Sequence, residues 1–386
     1  MGFSFELIRT DGAARLGRIV TGHGAVDTPA FMPVATQGSV KSLAPSDLLA
    51  AGAQIVLANT YHLMLRPGHE LVRELGGLHR FMGWDGPILT DSGGFQVWSL
   101  SKLRRIGEDG VEFRSHVDGS LRTLTPESCV AIQHALGVDV LHPLDECLAY
   151  PATAADTERS LALTQRWLER AIAAHRAAGS PGALFGIVQG GGYEHLRRRA
   201  AEAMGALDLP GHSIGGLAVG EPKALMYDLT GLVAGALPAD RPRYLMGVGK
   251  PQDLVESVAR GVDLFDCVLP TRNARNGQAF TPDGPLNIAN ARFTRDAGPL
   301  DPECPCAACR GFSRAYLRHL FGARELLAYR LLTLHNVTFY QGLMRDMRGA
   351  VAKGAFGVFR SRFLARYGVE SVGGSADTDS PADSEA

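Results

Sequence analysis

The organisation of this chain follows from residues 262–280, which read VDLFDCVLPTRNARNGQAF. The stretch opens with a short apolar run of β-branched and aromatic residues, which predicts a buried strand. Asp266 interrupts the run, and a carboxylate in a buried strand is costly unless it is paired or used. Arg272 and Arg275 follow, and their guanidinium groups suit a phosphate chain. The pattern predicts a carboxylate nucleophile or base with anion contacts at its rim; the alternative is a structural Asp that caps the turn at Pro270.

Seven other segments also read as short strands, and helical patterns lie between most of them. These segments are 31–36, 54–59, 87–91, 138–145, 183–189, 213–217 and 243–249. Strands that alternate with helices predict parallel βα units, and eight strands are the number that closes a (β/α)8 barrel. An open doubly wound sheet is the alternative, which is disfavoured because no GxGxxG follows the first strand.

Polar or glycine residues recur where these strands end: Asn59, Asp91, Asp145, Gln189, Gly215, Gly216, Gly249 and Asp266. Barrel enzymes build their sites at the C-terminal rim from several strands, so we expect these residues to share one site. Glycoside chemistry needs two carboxylates, since one attacks the anomeric carbon and the other handles a proton. Asp91, Asp145 and Asp266 are the candidates, although each alone is also a common turn or cap residue.

The length of 386 residues allows one large domain and a smaller piece, and the formal net charge is −1. We expect a barrel with an N-terminal β-rich entry in 1–290, a zinc-binding subdomain with helices packed on the barrel in 291–368, and a disordered tail in 369–386. Residues 108–125 read as an inserted hairpin that turns at Asp118-Gly119. Residues 310–368 carry ten Arg and one Lys against two acids, which indicates a polyanion partner or merely solvated helix faces.

The cysteines are divided between a cluster and scattered positions: Cys304, Cys306 and Cys309, and Cys129, Cys147 and Cys267. This distribution favours structural zinc in a reducing cytoplasm over a disulfide framework. Three thiolates need a fourth ligand, for which His335 is the best candidate; His319 is nearer but lies in a basic helix, and Cys129 and Cys147 belong to the barrel. No apolar run approaches the ~20 residues that cross a bilayer, and no secretory signal is present, so we expect a cytoplasmic protein without membrane contact.

Five motifs in a fixed order carry a resemblance to a known family. They are DSGGFQ (91–96), FGIVQGG (185–191), IGGLAVGE (214–221), YLMGVG (244–249) and LFDCVLPTRNARNGQAFT (264–281), followed by CPCAAC and a later His. Together they resemble the bacterial tRNA-guanine transglycosylases, or queuine tRNA-ribosyltransferases, over nearly the whole chain. The resemblance implies a homodimeric pentosyltransferase with one structural zinc ion per chain. It also implies exchange of guanine at the anticodon wobble position of tRNA for a deazaguanine base that carries an aminomethyl group.

For the reaction, the resemblance implies that Asp266 attacks C1′ of the wobble guanosine and holds the tRNA as a covalent ribosyl intermediate. Asp91 matches a second acid, which acts in proton transfer and orders the site. Arg272 and Arg275 match positions that contact the RNA. The residue chemistry agrees, because Asp266 must be ionised to attack and we expect the nearby arginines to favour that form.

For the incoming base, Asp145 and Gln189 match residues that hydrogen-bond the heterocycle, joined by the Gly216 backbone. A neutral heterocycle needs its donor and acceptor edges matched, which these groups can do. Leu217 matches a position whose carbonyl, with Glu221 behind it, receives the aminomethyl group.

The shape of the base pocket can also be predicted. Phe95, which stands where the family usually has Tyr, and Met246 are candidate walls around the base, and core packing is their alternative. Val219 stands where the eukaryotic enzymes have glycine, so we expect the pocket to exclude the larger queuine. The remaining matched residues are the implied zinc ligands, Cys304, Cys306, Cys309 and His335.

Two other functions remain as alternatives. A non-catalytic RNA-binding barrel subunit is disfavoured by the three acids, and a glycoside hydrolase that acts on sugars is disfavoured by the zinc module and the basic C-terminal region. The basic run 197–199 lies on a predicted helix with Glu194 and Glu202, so we expect a solvated face. His62 and His142 are more typical of satisfied rim or core histidines than of acid-base groups.

Overall fold

The computed structural model of the chain describes residues 2–100 and 104–368. Within these residues the strands are β1 (Ser4–Asp11), β2 (Ala14–Thr21), β3 (Gly24–Thr28), β4 (Ala30–Ala35), β5 (Val56–Ala58), β6 (Ile88–Thr90), β7 (Arg104–Gly107), β8 (Gly110–Arg114), β9 (Leu121–Leu124), β10 (Val140–Leu141), β11 (Ala183–Leu184), β12 (Gly186–Val188), β13 (His212–Ile214), β14 (Arg243–Leu245), β15 (Leu264–Cys267), β16 (Gln278–Thr281) and β17 (Gly284–Asn287).

The helices of the same residues are α1 (Pro45–Ala51), α2 (Thr60–Leu65), α3 (His69–Glu74), α4 (Gly77–Met82), α5 (Gly94–Leu100), α6 (Pro126–Leu136), α7 (Ala154–Ala178), α8 (Glu194–Gly205), α9 (Lys223–Ala236), α10 (Pro251–Val258), α11 (Leu269–Arg275), α12 (Ala307–Gly311), α13 (Arg314–Gly322), α14 (Leu326–Lys353) and α15 (Phe356–Arg366), with a 3-10 helix at Ala291–Arg295. Local chemistry explains the starts of several of them. The side chain of Thr125 caps α6 by accepting from the backbone N–H of Ser128, and Thr153 caps α7 in the same way through Asp156.

The main sheet is a ring of parallel strands in the order β4-β5-β6-β10-β11/β12-β13-β14-β15, and β15 pairs with β4. The short strands β11 and β12 occupy one position, because β11 pairs with β10 and β12 pairs with β13. The ring therefore closes with eight strand positions, and the predicted (β/α)8 barrel is confirmed. All eight segments expected to be strands contribute to it.

The N-terminal strands form a separate antiparallel sheet in the order β1-β2-β3. Its side chains Ile19 and Val26 pack into one cluster with Leu57, Leu89 and Leu264 of the barrel strands. The sheet therefore covers the end of the barrel where the strands begin. The opposite end, where the strands finish, holds the polar residues predicted to form the site.

His142 lies in the barrel interior and is fully buried. Its Nδ1–H donates to the carbonyl of Thr90 at 2.7 Å, and its Nε2 accepts from the hydroxyl of Ser213 at 2.7 Å. Burial lowers the pKa of His142 to about 4, so the ring is neutral and links β6 to β13 through its two nitrogens. Its interpretation as a satisfied core histidine agrees with these contacts.

The expected insertion forms a three-stranded antiparallel sheet in the order β7-β8-β9. The strands β8 and β9 pair as a hairpin, and Asp118 stabilises the turn by accepting from the backbone and hydroxyl of Ser120. The sequence pattern identified this hairpin but missed β7, which begins before the predicted range.

Helix α14 joins the C-terminal part of the chain to the barrel. Three of its side chains donate hydrogen bonds to backbone carbonyls outside the helix. Asn336 donates to Pro270 at 2.9 Å, Tyr340 to Gly249 at 2.5 Å, and Gln341 to Phe31 at 3.0 Å. The division at residue 290 stays a prediction, and the tail 369–386 lies outside the described residues. In the part of the chain that the structure describes, no helix combines the length and apolar character that would let it span a bilayer.

Candidate active site

Asp266 lies near the end of β15, and its carboxylate is held by two donors. The hydroxyl of Tyr244, from β14, donates to Oδ1 at 2.6 Å, and the backbone N–H of Gly247 donates to the same oxygen at 2.7 Å. Burial raises the pKa of Asp266, and these two hydrogen bonds act against that rise. From the sequence we expected nearby arginines to stabilise the ionised form of Asp266. In the structure the hydrogen bonds that lower its pKa come from Tyr244 and Gly247.

Asp91 follows β6 and is bound to the start of α2. Its Oδ2 accepts from the side-chain amide of Asn59 at 2.6 Å, and its Oδ1 accepts from the backbone N–H of Thr60 at 3.0 Å. Burial raises the pKa of Asp91 to about 7, and the negative charges of Asp266 and Asp145 add to the rise. The three carboxylates are thus close enough to influence one another, as their positions at strand ends predicted. A carboxyl with a pKa near neutrality is suited to proton transfer.

Asp145 and Gln189 form a buried pair that extends the site from β10 to β12. Asp145 accepts from the hydroxyl of Ser92 at 2.7 Å and from the side-chain amide of Gln189 at 2.7 Å. Burial raises the pKa of Asp145, and both hydrogen bonds oppose the rise. The pairing fixes the amide of Gln189 so that its carbonyl oxygen points away from Asp145.

Glycine is required at the turn after β13 because the backbone passes close to this pair. Gly216 has φ +63°, and a Cβ there would lie 2.3 Å from the amide oxygen of Gln189. A Cβ on Gly215 would lie 2.7 Å from the nitrogen of the same amide. The backbone at these two glycines therefore lies close to the side chain of Gln189. The sequence predicted that the backbone of Gly216 also contacts the base.

Arg197 contradicts the expectation of a solvated face on 197–199, whereas Arg198 and Arg199 are exposed as expected. Its side chain is fully buried, and its guanidinium donates to the carbonyls of Gly191 at 2.9 Å, Val188 at 3.2 Å, Gly215 at 2.6 Å and Gly216 at 2.8 Å. Burial lowers the pKa of Arg197 to about 10, so the group stays charged at neutral pH. The sequence correctly placed Arg197 on a helix. It did not show that Arg197 lies on the buried face of α8, because the charge pattern does not reveal which side of the helix packs against the loops.

A cavity of about 160 Å³ opens beside these loops. Its lining includes Tyr150, Gly216, Leu217, Val219 and Glu221. The carboxylate of Glu221 accepts from the backbone N–H groups of Ala218 at 2.5 Å and Val219 at 2.9 Å, and thereby holds the turn that forms one wall. Three of the residues predicted to receive the base, Gly216, Leu217 and Glu221, thus meet in one cavity.

The two candidate walls follow strands on opposite sides of the ring. Phe95 lies on α5 after β6, and Met246 follows β14, which is four positions away around the eight-position ring. Phe95 is 42% exposed, which is unusual for a core residue, and Met246 is half-buried. The exposure of Phe95 argues against core packing for this residue, whereas Met246 packs against the core cluster that contains Tyr244 and Leu264.

The two arginines lie on α11, immediately after the strand that carries Asp266. Arg272 is exposed and Arg275 is half-buried. Burial raises the pKa of the Cys267 thiol to about 12, and the negative charge of Asp266 adds to the rise. The positive charge of Arg272 acts in the opposite direction. Arg272 is therefore an exposed cation near Cys267, at the rim of the site.

The cysteine cluster is completed by His335. One ligand atom from each of Cys304, Cys306, Cys309 and His335 lies within 4.8 Å of all the others. The Nδ1 atom of His335 is 3.2 Å from the sulfur of Cys309, and its Nε2–H donates to the carbonyl of Phe280 at 2.8 Å. That hydrogen bond turns the lone pair of Nδ1 towards the sulfurs, as in metal sites with an oriented histidine. These four residues form a group that can hold a metal ion.

Some residues of the site were missed by sequence reasoning. Tyr244 reads as a core residue of a strand, and Ser92 has no pattern beyond its place in a glycine-containing turn. Asn59 was noted as polar at a strand end, but its partner Asp91 is 32 residues away. Only the common position at strand ends could have signalled that these residues meet.

Comparison with known proteins places this arrangement in a family. Residues 11–369 match the family model described as queuine tRNA-ribosyltransferase. A queuine tRNA-ribosyltransferase of Solidesulfovibrio magneticus is 58% identical over 94% of this chain and 98% of the relative, and one of Nitratidesulfovibrio vulgaris is 56% identical over 96% and 98%. One of Symbiobacterium thermophilum is 54% identical over 95% of this chain and 92% of the relative. This chain belongs to the queuine tRNA-ribosyltransferase family.

Proposed function

We propose that this protein is a tRNA-guanine transglycosylase, which exchanges guanine at the anticodon wobble position for the aminomethyl deazaguanine precursor of queuosine. The proposal is supported most by one arrangement: Asp266 is held by Tyr244 and Gly247, while Asp91 with a pKa of about 7 lies close enough for their charges to interact. Family membership is consistent with it. The site thus combines a fixed nucleophile with a group that can give and take a proton.

The reaction is proposed to have two balanced displacements. The hydrogen bonds from Tyr244 and Gly247 both end on Oδ1, so Oδ2 of Asp266 is the oxygen that attacks C1′. As the new bond forms, the bond from C1′ to guanine N9 breaks, and guanine leaves with the electron pair and takes up a proton that Asp91 supplies. The incoming base then returns its N9 proton to Asp91 and attacks C1′, which releases the carboxylate of Asp266.

Recognition of the base is proposed for the pair Asp145 and Gln189 together with the Gly216 backbone. The carbonyl of Leu217, beside Glu221, would accept from the aminomethyl group in the cavity. Phe95 and Met246 would close over the two faces of the ring, because a base taken out of the anticodon stack needs apolar walls.

Val219 supports a choice between two incoming bases. Its side chain lines the cavity, where it would collide with the cyclopentenediol of queuine. We therefore expect incorporation of the aminomethyl deazaguanine but not of queuine. Equal incorporation of the two bases into tRNA in an exchange assay would contradict this expectation.

Binding of the tRNA is proposed for Arg272, Arg275 and the basic surface of residues 310–368, since guanidinium groups suit phosphate.

The group Cys304, Cys306, Cys309 and His335 fits one structural zinc ion, because its donors are three thiolates and one imidazole and all four tetrahedral positions come from protein. When bound, the ion would only hold the C-terminal segment in place. A homodimer, a cytoplasmic location and a zinc-binding subdomain in 291–368 belong to the same proposal.

The proposal is tested by trapping the covalent intermediate. We expect wild-type protein incubated with tRNA to give a denaturation-resistant protein–tRNA adduct, and Asp266→Asn to give none, because an amide oxygen is a poor nucleophile. Asp85→Asn, which changes an exposed acid, is the matched control and should form the adduct at the wild-type level. Circular dichroism should show that both variants are folded.

The same experiment separates the alternatives. A non-catalytic RNA-binding subunit would bind tRNA in a gel-shift assay without forming an adduct or releasing guanine. A glycoside hydrolase would release free sugar from oligosaccharides and leave tRNA unchanged. Either result with folded wild-type protein would refute the proposed transglycosylase.

A further inference from the structure

A group of two histidines and one aspartate lies at the other end of the barrel. Asp139 comes directly before β10, and its Oδ2 accepts from the backbone N–H of Ile88, the first residue of β6, at 2.9 Å. Asp91 follows the opposite end of β6, so the length of the strand separates this group from the candidate active site. His23, from the turn between β2 and β3, and His79, from α4, complete the group.

The three side chains converge closely. The Nδ1 atom of His23 lies 2.8 Å from Oδ1 of Asp139, and the Nε2 atom of His79 lies 3.2 Å from Oδ2. The two imidazole rings are stacked, with centroids 3.6 Å apart and planes at 16°. Side-chain exposure is 42% for His23, 13% for His79 and 4% for Asp139, so the group is anchored in the core and opens to solvent on the His23 side.

We propose that His23, His79 and Asp139 form a second metal site, which binds a divalent first-row ion such as Co²⁺, Ni²⁺ or Zn²⁺. Two imidazoles and one carboxylate are a donor set that such ions use with other positions left open. Each nitrogen faces its own oxygen of the Asp139 carboxylate, at 2.8 and 3.2 Å, and one ligand atom from each of the three residues lies within 4.8 Å of the other two. The ion would take the place of the two hydrogen bonds and bind directly to the nitrogen and oxygen atoms that they now join.

The backbone orients the carboxylate of the group, whereas the stacked imidazole rings must turn for both nitrogen lone pairs to point at one ion. The backbone N–H of Ile88 orients the Asp139 carboxylate, as hydrogen bonds behind metal ligands commonly do. The open side at His23 leaves room for water to fill the remaining positions. The donor set also differs from the cysteine group, since it contains nitrogen and oxygen without sulfur.

The site would fasten the N-terminal sheet to the barrel. His23 belongs to the sheet, while His79 and Asp139 belong to the βα units of the barrel, and 116 residues separate His23 from Asp139. An ion bound by all three binds the folded state and not the unfolded chain, so it raises the melting temperature with increasing concentration. The transglycosylase reaction is not involved, so this inference stands or falls independently of the proposed function.

The test uses untagged full-length protein whose cysteine site is filled with zinc, confirmed by elemental analysis. Titration with Co²⁺ should show one additional equivalent by calorimetry, weak visible bands and no intense near-ultraviolet thiolate band, together with a rise in melting temperature. His23→Ala, which alters an exposed turn, should weaken Co²⁺ binding by tenfold or more and remove the rise.

Two further variants make the result decisive. His195→Ala removes an exposed histidine on α8 and should leave Co²⁺ binding unchanged. Asp139→Asn keeps an oxygen for the Ile88 N–H and should lose the ion. The absence of a second equivalent at millimolar Co²⁺, or equal binding by wild type and His23→Ala, would overturn the proposal and leave the group as a hydrogen-bonded clamp alone.

Discussion

At the scale of single residues, three aspartates of one site are held in different ways. Tyr244 donates to Asp266, and Asn59 donates to Asp91, whereas Asp145 is paired with Gln189. Burial raises the pKa of all three, to about 7 for Asp91, and the negative charges of Asp266 and Asp145 contribute to the rise at Asp91. Different environments thereby give chemically identical side chains different proposed roles.

Asp91 makes the stability of the protein depend on pH. Its folded pKa of about 7 lies above the ordinary value of 3.8, so the folded state holds the proton more tightly than the unfolded state does. The contribution of Asp91 to the free energy of unfolding is therefore present at low pH and is lost as the pH rises through 7. Linkage gives a loss of about 1 kcal/mol between roughly pH 6 and pH 8.

This loss can be measured against Asp91→Asn, which has no proton to titrate. Urea unfolding of both proteins at the two pH values should show that the stability of wild type relative to the variant falls by about 1 kcal/mol as the pH rises. Titrating groups far from position 91 are common to both proteins and cancel, whereas Asp145 and Asp266, whose charges interact with Asp91, contribute to the measured difference. A difference in stability that does not change with pH would mean that the pKa of Asp91 is not raised.

At the scale of elements, α8 holds together the loops that follow two neighbouring strands. The guanidinium of Arg197 reaches the carbonyls of Val188 and Gly191 on one side and those of Gly215 and Gly216 on the other. A flat guanidinium with several donors can serve four carbonyls at once, whereas an ammonium group on a flexible chain cannot hold the same geometry. The proposed base contact at Gly216 therefore depends on a helix that does not itself reach the base.

Arg197→Lys should thus act on recognition of the base more than on chemistry. We expect the KM for the deazaguanine to rise by about tenfold or more with a smaller change in kcat, because one or two carbonyls lose charge-assisted hydrogen bonds of about 1.5–3 kcal/mol each. Exchange kinetics at varied base concentration measure the two constants. Arg198→Lys, on an exposed position of the same helix, is the control and should match wild type. An unchanged KM in the folded Arg197→Lys variant would show that the clamp does not serve the base.

At the scale of the whole molecule, the barrel is covered at one end and carries the candidate active site at the other. The N-terminal sheet covers the end where the strands begin, and α14 runs along the barrel and carries both His335 of the metal group and Asn336. Asn336 donates to the carbonyl of Pro270 in α11, the helix that bears Arg272 and Arg275. The metal group is thereby connected to the proposed tRNA-binding surface through adjacent residues of one helix.

Removal of the metal should therefore destabilise the protein and weaken tRNA binding. Cys309→Ser should lower the zinc content and cost about 3 kcal/mol or more in the free energy of unfolding, since a structural ion contributes to folding directly. His319→Ala, at the exposed histidine that the sequence left as an alternative ligand, should keep its zinc and serve as the control. Elemental analysis, thermal melting and a tRNA filter-binding assay measure the three effects. Full zinc content in Cys309→Ser would contradict the assignment of this ligand.

The sequence by itself determined the elements and the chemistry of the separate motifs. Short apolar runs alternating with helical patterns specified the strands of the barrel, because hydrophobic period is a local property of the chain. Asp91, Asp145 and Asp266 were identified in the same way, from polar residues at strand ends. His335 was favoured as the partner of the three cysteines, and the structure places it among them.

Only the tertiary structure decided which side chains meet. Arg197 could be assigned to a helix but not to its buried face, and Tyr244 could be assigned to a strand but not to the carboxylate of Asp266. His23 and Asp139 are 116 residues apart and carry no shared pattern. The physical reason is that contacts of this kind arise from the closure of the strand ring and the docking of the sheet on its end, which depend on packing between distant segments and not on any local period.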